Sequence, residues 1–181
     1  MNKGIALANG DVIGIINSGD YYHENAIDYI VTKYIEVSQP CVIYGNMNVV
    51  DENDIIVKVE NRTNHLKVLS KLSMWVPHPT MFVSKRIYNT HGLYDTRCKV
   101  IADFHFIIKL LVNDVRFYKV NEIISSFRTG GLTYTTTFSH LVTVTKERVW
   151  LYKNYNISLF RIIIRTIISW IRYIIRISKY T

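Results

Sequence analysis

Along most of the chain, apolar residues come in short runs that stop at small polar turns, and the spacing within each run predicts its element. Residues 2–8 read as a short helix closed by Asn9-Gly10, both of which tolerate a left-handed backbone. Val12 to Ile16 is a compact apolar run, the pattern of a strand buried on both faces. From Glu24 to Val37 the period lengthens to that of a helix. Ala26, Ile27, Ile30, Val31, Tyr34 and Ile35 fall on one face, and Glu24, Asp28, Lys33 and Glu36 on the other. Cys41 to Val50 is strand-like with an interruption at Gly45-Asn46, and the charged turn Asp51 to Asp54 leads into a hairpin partner, Ile55 to Val59. A short helix near Leu66 to Leu72 and a strand at Met81 to Val83 follow. A helix runs from Asp103 through Leu111, strand-like runs cover Phe117 to Val120 and Ile123 to Phe127, and Thr129-Gly130-Gly131 reads as a loop. Strands that alternate with helices and then mix with hairpins predict an α/β fold with a mixed sheet rather than a helical bundle.

Length and charge narrow this picture. A chain of 181 residues suits one domain with a sizeable core. Its formal net charge of +8, with 14 acidic residues, points to an anionic partner: nucleic acid, a phosphorylated sugar donor or an anionic membrane surface. Cys41 and Cys98 lie far apart without zinc-type spacing, so two reduced core thiols are expected. The N-terminus carries no secretory signal pattern, from which a cytoplasmic location is expected. No internal repeat or low-complexity linker is present.

Four short segments carry candidate chemistry. Asn17-Ser18-Gly19-Asp20 places one carboxylate just beyond a strand, where ligands of open α/β sheets bind. There Asp20 can hold a hard cation whose other ligands are phosphate oxygens and water, or it can simply cap the following helix. In His78-Pro79-Thr80, Pro79 forces an extended backbone on His78 and fixes where its ring points. The alternative is a turn histidine bonded to backbone. In Ala102-Asp103-Phe104, a carboxylate opens a helix among aromatic residues. Shielding raises the pKa of such a group and the helix N-terminus lowers it, and it serves as a base or as an N-cap. In Arg128-Thr129-Gly130-Gly131, paired glycines suit either a mobile loop at a substrate or a plain hairpin turn, and Arg128 either a phosphate contact or a solvated charge.

In their order, Met1-Asn2-Lys3-Gly4-Ile5, Ala8-Asn9-Gly10-Asp11, the Val12 to Ile16 run, Asn17 to Asp20, His78-Pro79-Thr80 and Ala102-Asp103 resemble the inverting family 2 glycosyltransferases. The resemblance spans Met1 to about Thr133. It implies a GT-A-like mixed sheet flanked by helices, and transfer of a sugar from a nucleotide-sugar donor to a glycan or lipid-linked acceptor, in surface polysaccharide biosynthesis. It implies that Asp103 is the catalytic base and that Asp20 holds a divalent metal, Mn2+ or Mg2+. Ser18, His78, Arg128, Gly130 and Gly131 would contact substrate. Gly19 stands where relatives carry a first acid of a pair, and His105 where many carry a second acid after the catalytic one. The family begins with a strand and helix that hold the nucleotide before the Met-Asn-Lys-Gly segment. Met1 is therefore expected to be an internal methionine, with the first nucleotide-binding strands missing and a sheet edge left uncovered.

The expected domain plan is a partial catalytic domain at 1–135, a helical connector at 136–156 and a basic amphipathic helix at 157–181. In that last segment Arg161, Arg165, Arg172, Arg176 and Lys179 share one helical stripe, and isoleucines with Trp170 cover the rest. Arginines near the centre of a membrane span cost about 2.5–3.5 kcal/mol each, so a helix lying in an anionic membrane surface fits better. A protein groove that buries the isoleucines is the rival. No basic patch interleaves with stacking aromatics, so nucleic acid is not expected as a partner. The expected location is peripheral, at the inner face of the cell membrane. Two other readings stay open: a non-catalytic remnant at the membrane, and an unrelated basic α/β protein that binds anionic polymers.

Overall fold

A computed structural model describes residues 1–61, 76–129 and 137–156, with isolated positions between 163 and 171. The elements are α1 (Asn2–Leu7), β1 (Val12–Gly14), β2 (Tyr21–Tyr22), α2 (Ala26–Val37), β3 (Val42–Val50), β4 (Ile56–Glu60), β5 (Phe82–Ser84), α3 (Lys85–His91), α4 (Ala102–Val112), β6 (Phe117–Arg128) and α5 (Phe138–Asn154). A single turn of 3-10 helix at His78–Thr80 precedes β5. The expected helix near Leu66 to Leu72 lies outside the described residues.

One mixed sheet organises the chain in the order β1-β5-β3-β6-β2. The central pair β3 and β6 is parallel, whereas β1, β2, β4 and β5 pair antiparallel with their neighbours. Side chains on β3 alternate between two cores, as pleating requires. Val42 and Tyr44 pack with Val83, Phe106, Ile107 and Leu110 under α3 and α4. Cys41 and Ile43 pack with Phe82 and Ile124 against Ala26 and Ile30 of α2. Outside α4, Phe104 and Ile108 meet Leu151 and Tyr152 of α5 in a third cluster. The mixed α/β sheet with helices on both faces is the one expected from the sequence.

Several local expectations need correction. Helix α1 ends on Ala8 in an extended conformation, not on a left-handed Asn9-Gly10. Strand β1 is three residues long and only Ile13 in it is buried, because the chain leaves the sheet after Gly14. A Cβ at Gly14 would lie 2.7 Å from the Tyr22 hydroxyl, so that ring packs directly on the strand. On α2, Ala26 and Ile30 are buried, while Ile27, Val31 and Ile35 are exposed. The sheet covers one narrow stripe of the helix, not the wider face read from the sequence. Gly45-Asn46 does not interrupt β3. It sits where the β3–β6 register shifts, with Asn46 Nδ2 donating to the Asn121 carbonyl. The result is a bulge within a continuous pair, and β6 runs unbroken where two strands were expected.

Candidate active site

Three segments carry the candidate residues: the turn after β1, the 3-10 turn ahead of β5 and the start of α4. The turn after β1 is closed by the Asp20 N–H donating to the Asn17 carbonyl at 3.1 Å, and Gly19 takes a φ of 90° that only glycine adopts without strain. Asp20 Oδ1 accepts from the Arg128 N–H at 3.1 Å, which ties the turn to the end of β6. Asp20 Oδ2 is buried and has no hydrogen-bond partner among the described residues. Ser18 is exposed on this turn.

His78 lies in the 3-10 turn, 6% exposed. Thr80 braces that turn, its hydroxyl donating to the Pro77 carbonyl at 2.8 Å. The His78 ring stands edge-on to Tyr94, and Nε2 lies 3.3 Å from the Tyr94 hydroxyl. Tyr94 in turn stacks on Phe106 with ring centres 4.5 Å apart. Its backbone is gripped by one side chain: Asn2 Nδ2 donates to the Tyr94 carbonyl at 2.8 Å, and the Tyr94 N–H donates to Asn2 Oδ1 at 3.1 Å.

Asp103 is the second residue of α4, and the N-cap position belongs to Ile101, which gives no side-chain cap. Asp103 Oδ1 accepts from the Phe104 N–H at 2.7 Å. The N–H groups ahead of the helix are satisfied from another element. Glu147 of α5 accepts from Lys99 at 2.8 Å with Oε1, and from Val100 at 3.1 Å and Ile101 at 3.0 Å with Oε2. Open N–H donors ahead of a helix cost stability, and one carboxylate closes this part-buried row.

Electrostatics link the three groups. Burial raises the Asp103 carboxyl above its ordinary range, opposed by the nearby His78 ring and the Phe104 N–H. Burial also raises Asp20, opposed by the Arg128 N–H, His78 and Asn17. For His78 burial lowers the pKa, while Asp103 and Asp20 both pull it up. The imidazole thus lies within the field of both carboxylates. Asp20 and Asp103, distant in sequence, each lie near enough to His78 for their charges to act on its ring.

The other sequence candidates fall differently. The Arg128 guanidinium is occupied: Nε donates to the Gly19 carbonyl at 3.3 Å, Nη1 to the Glu52 carbonyl at 3.0 Å, and Nη2 pairs with Asp54 at 2.7 Å. It clasps the Asp20 turn to the β3–β4 turn. Gly130 and Gly131 lie outside the described residues. His105 is buried beside Tyr155 and Trp150, on the α5 side of α4. Asn2, Tyr94 and Glu147 escaped the sequence reading. Asn2 reaches Tyr94 across 92 positions, Glu147 reaches the start of α4 across 46 to 48 and Tyr94 reaches His78 across 16, and no local pattern marks such partners.

No family model and no curated protein matches the sequence. Solved structures do. A crystal structure of residues 1–349 of TarS from S. aureus is similar over 70% of this chain and 38% of that one, with 15% identity and a TM-score of 0.52. A second crystal structure of S. aureus TarS is similar over 81% of this chain and 26% of that one, with 14% identity and the same TM-score of 0.52. The chain therefore spans well under half the length of these neighbours. The likeness shows the fold: a partial GT-A-like, glycosyltransferase-like architecture.

Proposed function

We propose that the chain is a glycosyltransferase of the inverting family 2 type, moving a sugar from a nucleotide-sugar donor to a glycan or lipid-linked acceptor. The observation that carries this reading is the meeting of Asp20, His78 and Asp103 on a GT-A-like fold. Asp103 accepts the proton of the acceptor hydroxyl as that oxygen attacks the anomeric carbon. The bond from that carbon to the donor's diphosphate breaks with inversion, and its electron pair leaves on the diphosphate oxygen. Raised by burial, Asp103 is a stronger base than an exposed carboxylate.

The residues fit a divalent cation at Asp20. One of its oxygens is buried without a hydrogen-bond partner among the described residues, as a ligand atom would be. Those residues contain no group of three or more His, Cys, Asp or Glu side chains placed to hold a metal, so diphosphate oxygens and water would complete the shell. Such a cation, Mn2+ or Mg2+, would offset the charge that builds on the leaving diphosphate. Asp20 holds that place, with Oδ1 fixed by the Arg128 N–H. His78, beside Tyr94, feels the charge of both carboxylates.

Surface glycan synthesis and a peripheral place at the inner membrane face belong to the same proposal; the second is supported by the basic sequence pattern of residues 157–181, most of which lie outside the described residues. Among the described residues no helix is long and apolar enough to cross a membrane. The decisive experiment is transfer from labelled nucleotide sugars by the wild-type chain and by Asp103→Asn. Loss of transfer with donor binding retained supports the assignment. Unchanged turnover removes Asp103 as the base.

A further inference from the structure

On the side of α4 opposite Asp103 lies an open groove of about 450 Å3. Leu93, Asp95, Arg97, His105, Trp150 and Tyr155 line it. The segment that delivers Tyr94 to the catalytic cluster also delivers Leu93 and Asp95 to this groove. Asp103 and His105, two positions apart on α4, face the two sites, so about one helix diameter of roughly 10 Å separates them. The groove wall is fixed, because Glu147 locks α5 onto the start of α4.

Its chemistry is specific. Trp150 and Tyr155 present aromatic surface, and Leu93 adds an exposed apolar rim. Both cations are already engaged. Arg97 makes a two-pronged pair with Asp95 at 2.7 and 3.0 Å and lies over the Trp150 ring. Lys109 donates to the Gly92 and Leu93 carbonyls at 3.0 and 2.8 Å. A phosphate would find no free positive charge here. The floor is His105, 5% exposed, with Nε2 3.3 Å from the Tyr155 hydroxyl and Nδ1 without a partner among the described residues. Aromatic surface beside the Asp95 carboxylate, the Asn154 amide and the Tyr155 hydroxyl is the setting that suits a sugar ring, apolar on its faces and polar at its edge.

We infer that this groove binds a neutral saccharide ring of the acceptor, one helix width from the catalytic carboxylate. The inference rests on the transferase reading for the word acceptor, and on the groove alone for the saccharide. Arg97 and Asp95 hold each other at the rim. The remaining lone pairs of Asp95 accept from sugar hydroxyls, while the sugar face covers Leu93 and the part of Trp150 that Arg97 leaves open.

The test uses the full chain labelled with 15N-tryptophan. The probes are cellobiose, N,N′-diacetylchitobiose and inorganic phosphate. The Trp150 indole N–H signal is identified by its disappearance in Trp150→Phe. It should shift saturably with at least one disaccharide, at a dissociation constant on the order of 1–10 mM, and not with phosphate. Asp95→Asn should weaken that binding about tenfold. Tyr155→Phe, checked for folding by circular dichroism, provides a second reading of the same loss. No saturable shift with either disaccharide, a response to phosphate alone, or full affinity in both variants overturns the inference. Transfer activity without a Trp150 response removes the groove and leaves the transferase. A Trp150 response in a chain that binds no nucleotide sugar keeps the groove and removes the transferase.

Discussion

At Asp103 two fields oppose each other, and burial wins over the helix terminus and His78. Because the folded pKa lies above the ordinary 3.8, the native state holds this proton more tightly than the unfolded chain does. As pH rises from 3.8 through the folded value, the group withdraws stability, and at neutral pH it is a net cost. Asp103→Asn should therefore abolish transfer yet raise the melting temperature at pH 7. A melting temperature lowered by the change would contradict the burial argument. The same shift places the acid limb of the rate profile above pH 3.8, and that limb should move when the nearby His78 is replaced by Gln. Asp95 behaves oppositely. Its pair with Arg97 holds it down to about 2, so its contribution is present above 3.8 and is lost as pH falls through about 2. The carboxylate candidates were legible in the sequence because turn and helix-start positions are local features. Their partners were not: Tyr94 reaches His78 and Asn2 grips Tyr94 only after the chain has folded.

Among the elements, α5 does more than connect. Read from the sequence as a connector, it places Leu151 and Tyr152 in the core and supplies Glu147 to three consecutive N–H groups ahead of α4. Charged hydrogen bonds of this kind contribute about 1.5–3 kcal/mol each at most and do not add fully. Glu147→Ala should destabilise the chain by about 2–4 kcal/mol in denaturant unfolding. Loss of less than about 0.5 kcal/mol would show that the clasp is dispensable. The β3–β6 pair makes a second element-scale prediction. A Cβ at Gly45 would run into Ile124 Cγ1 and lie 2.9 Å from the Glu122 carbonyl. Both contacts belong to the bulged partner strand, so Gly45→Ala should cost about 1–3 kcal/mol. From the sequence, Gly45-Asn46 was recognisable as irregular, because glycine and asparagine weaken strands. Whether such a pair ends a strand or bulges it depends on the partner, which lies some 75 residues away.

For the whole molecule, hydrophobic alternation sufficed to indicate a mixed sheet between helices, since Val42 and Tyr44 face one core and Cys41 and Ile43 the other. It overstated how much of α2 is covered, because amphipathic spacing shows which face can be buried and not how wide a neighbour will cover it. Ile27, Val31 and Ile35 remain outside. The basic stripe at 157–181 carries the membrane proposal. Removing those residues should release the chain from vesicles containing anionic lipid in a flotation assay, and continued flotation would assign the contact elsewhere. The transferase reading depends on Asp20 and Asp103 working at one site. The most direct check uses Mn2+ with a nucleoside diphosphate as a paramagnetic probe, followed by NMR of the 15N-labelled chain. The account predicts broadening of the His78 ring and Asp103 amide signals, lost in Asp20→Asn. Signals of His78 and Asp103 that stay sharp, or broadening that survives Asp20→Asn, would contradict it.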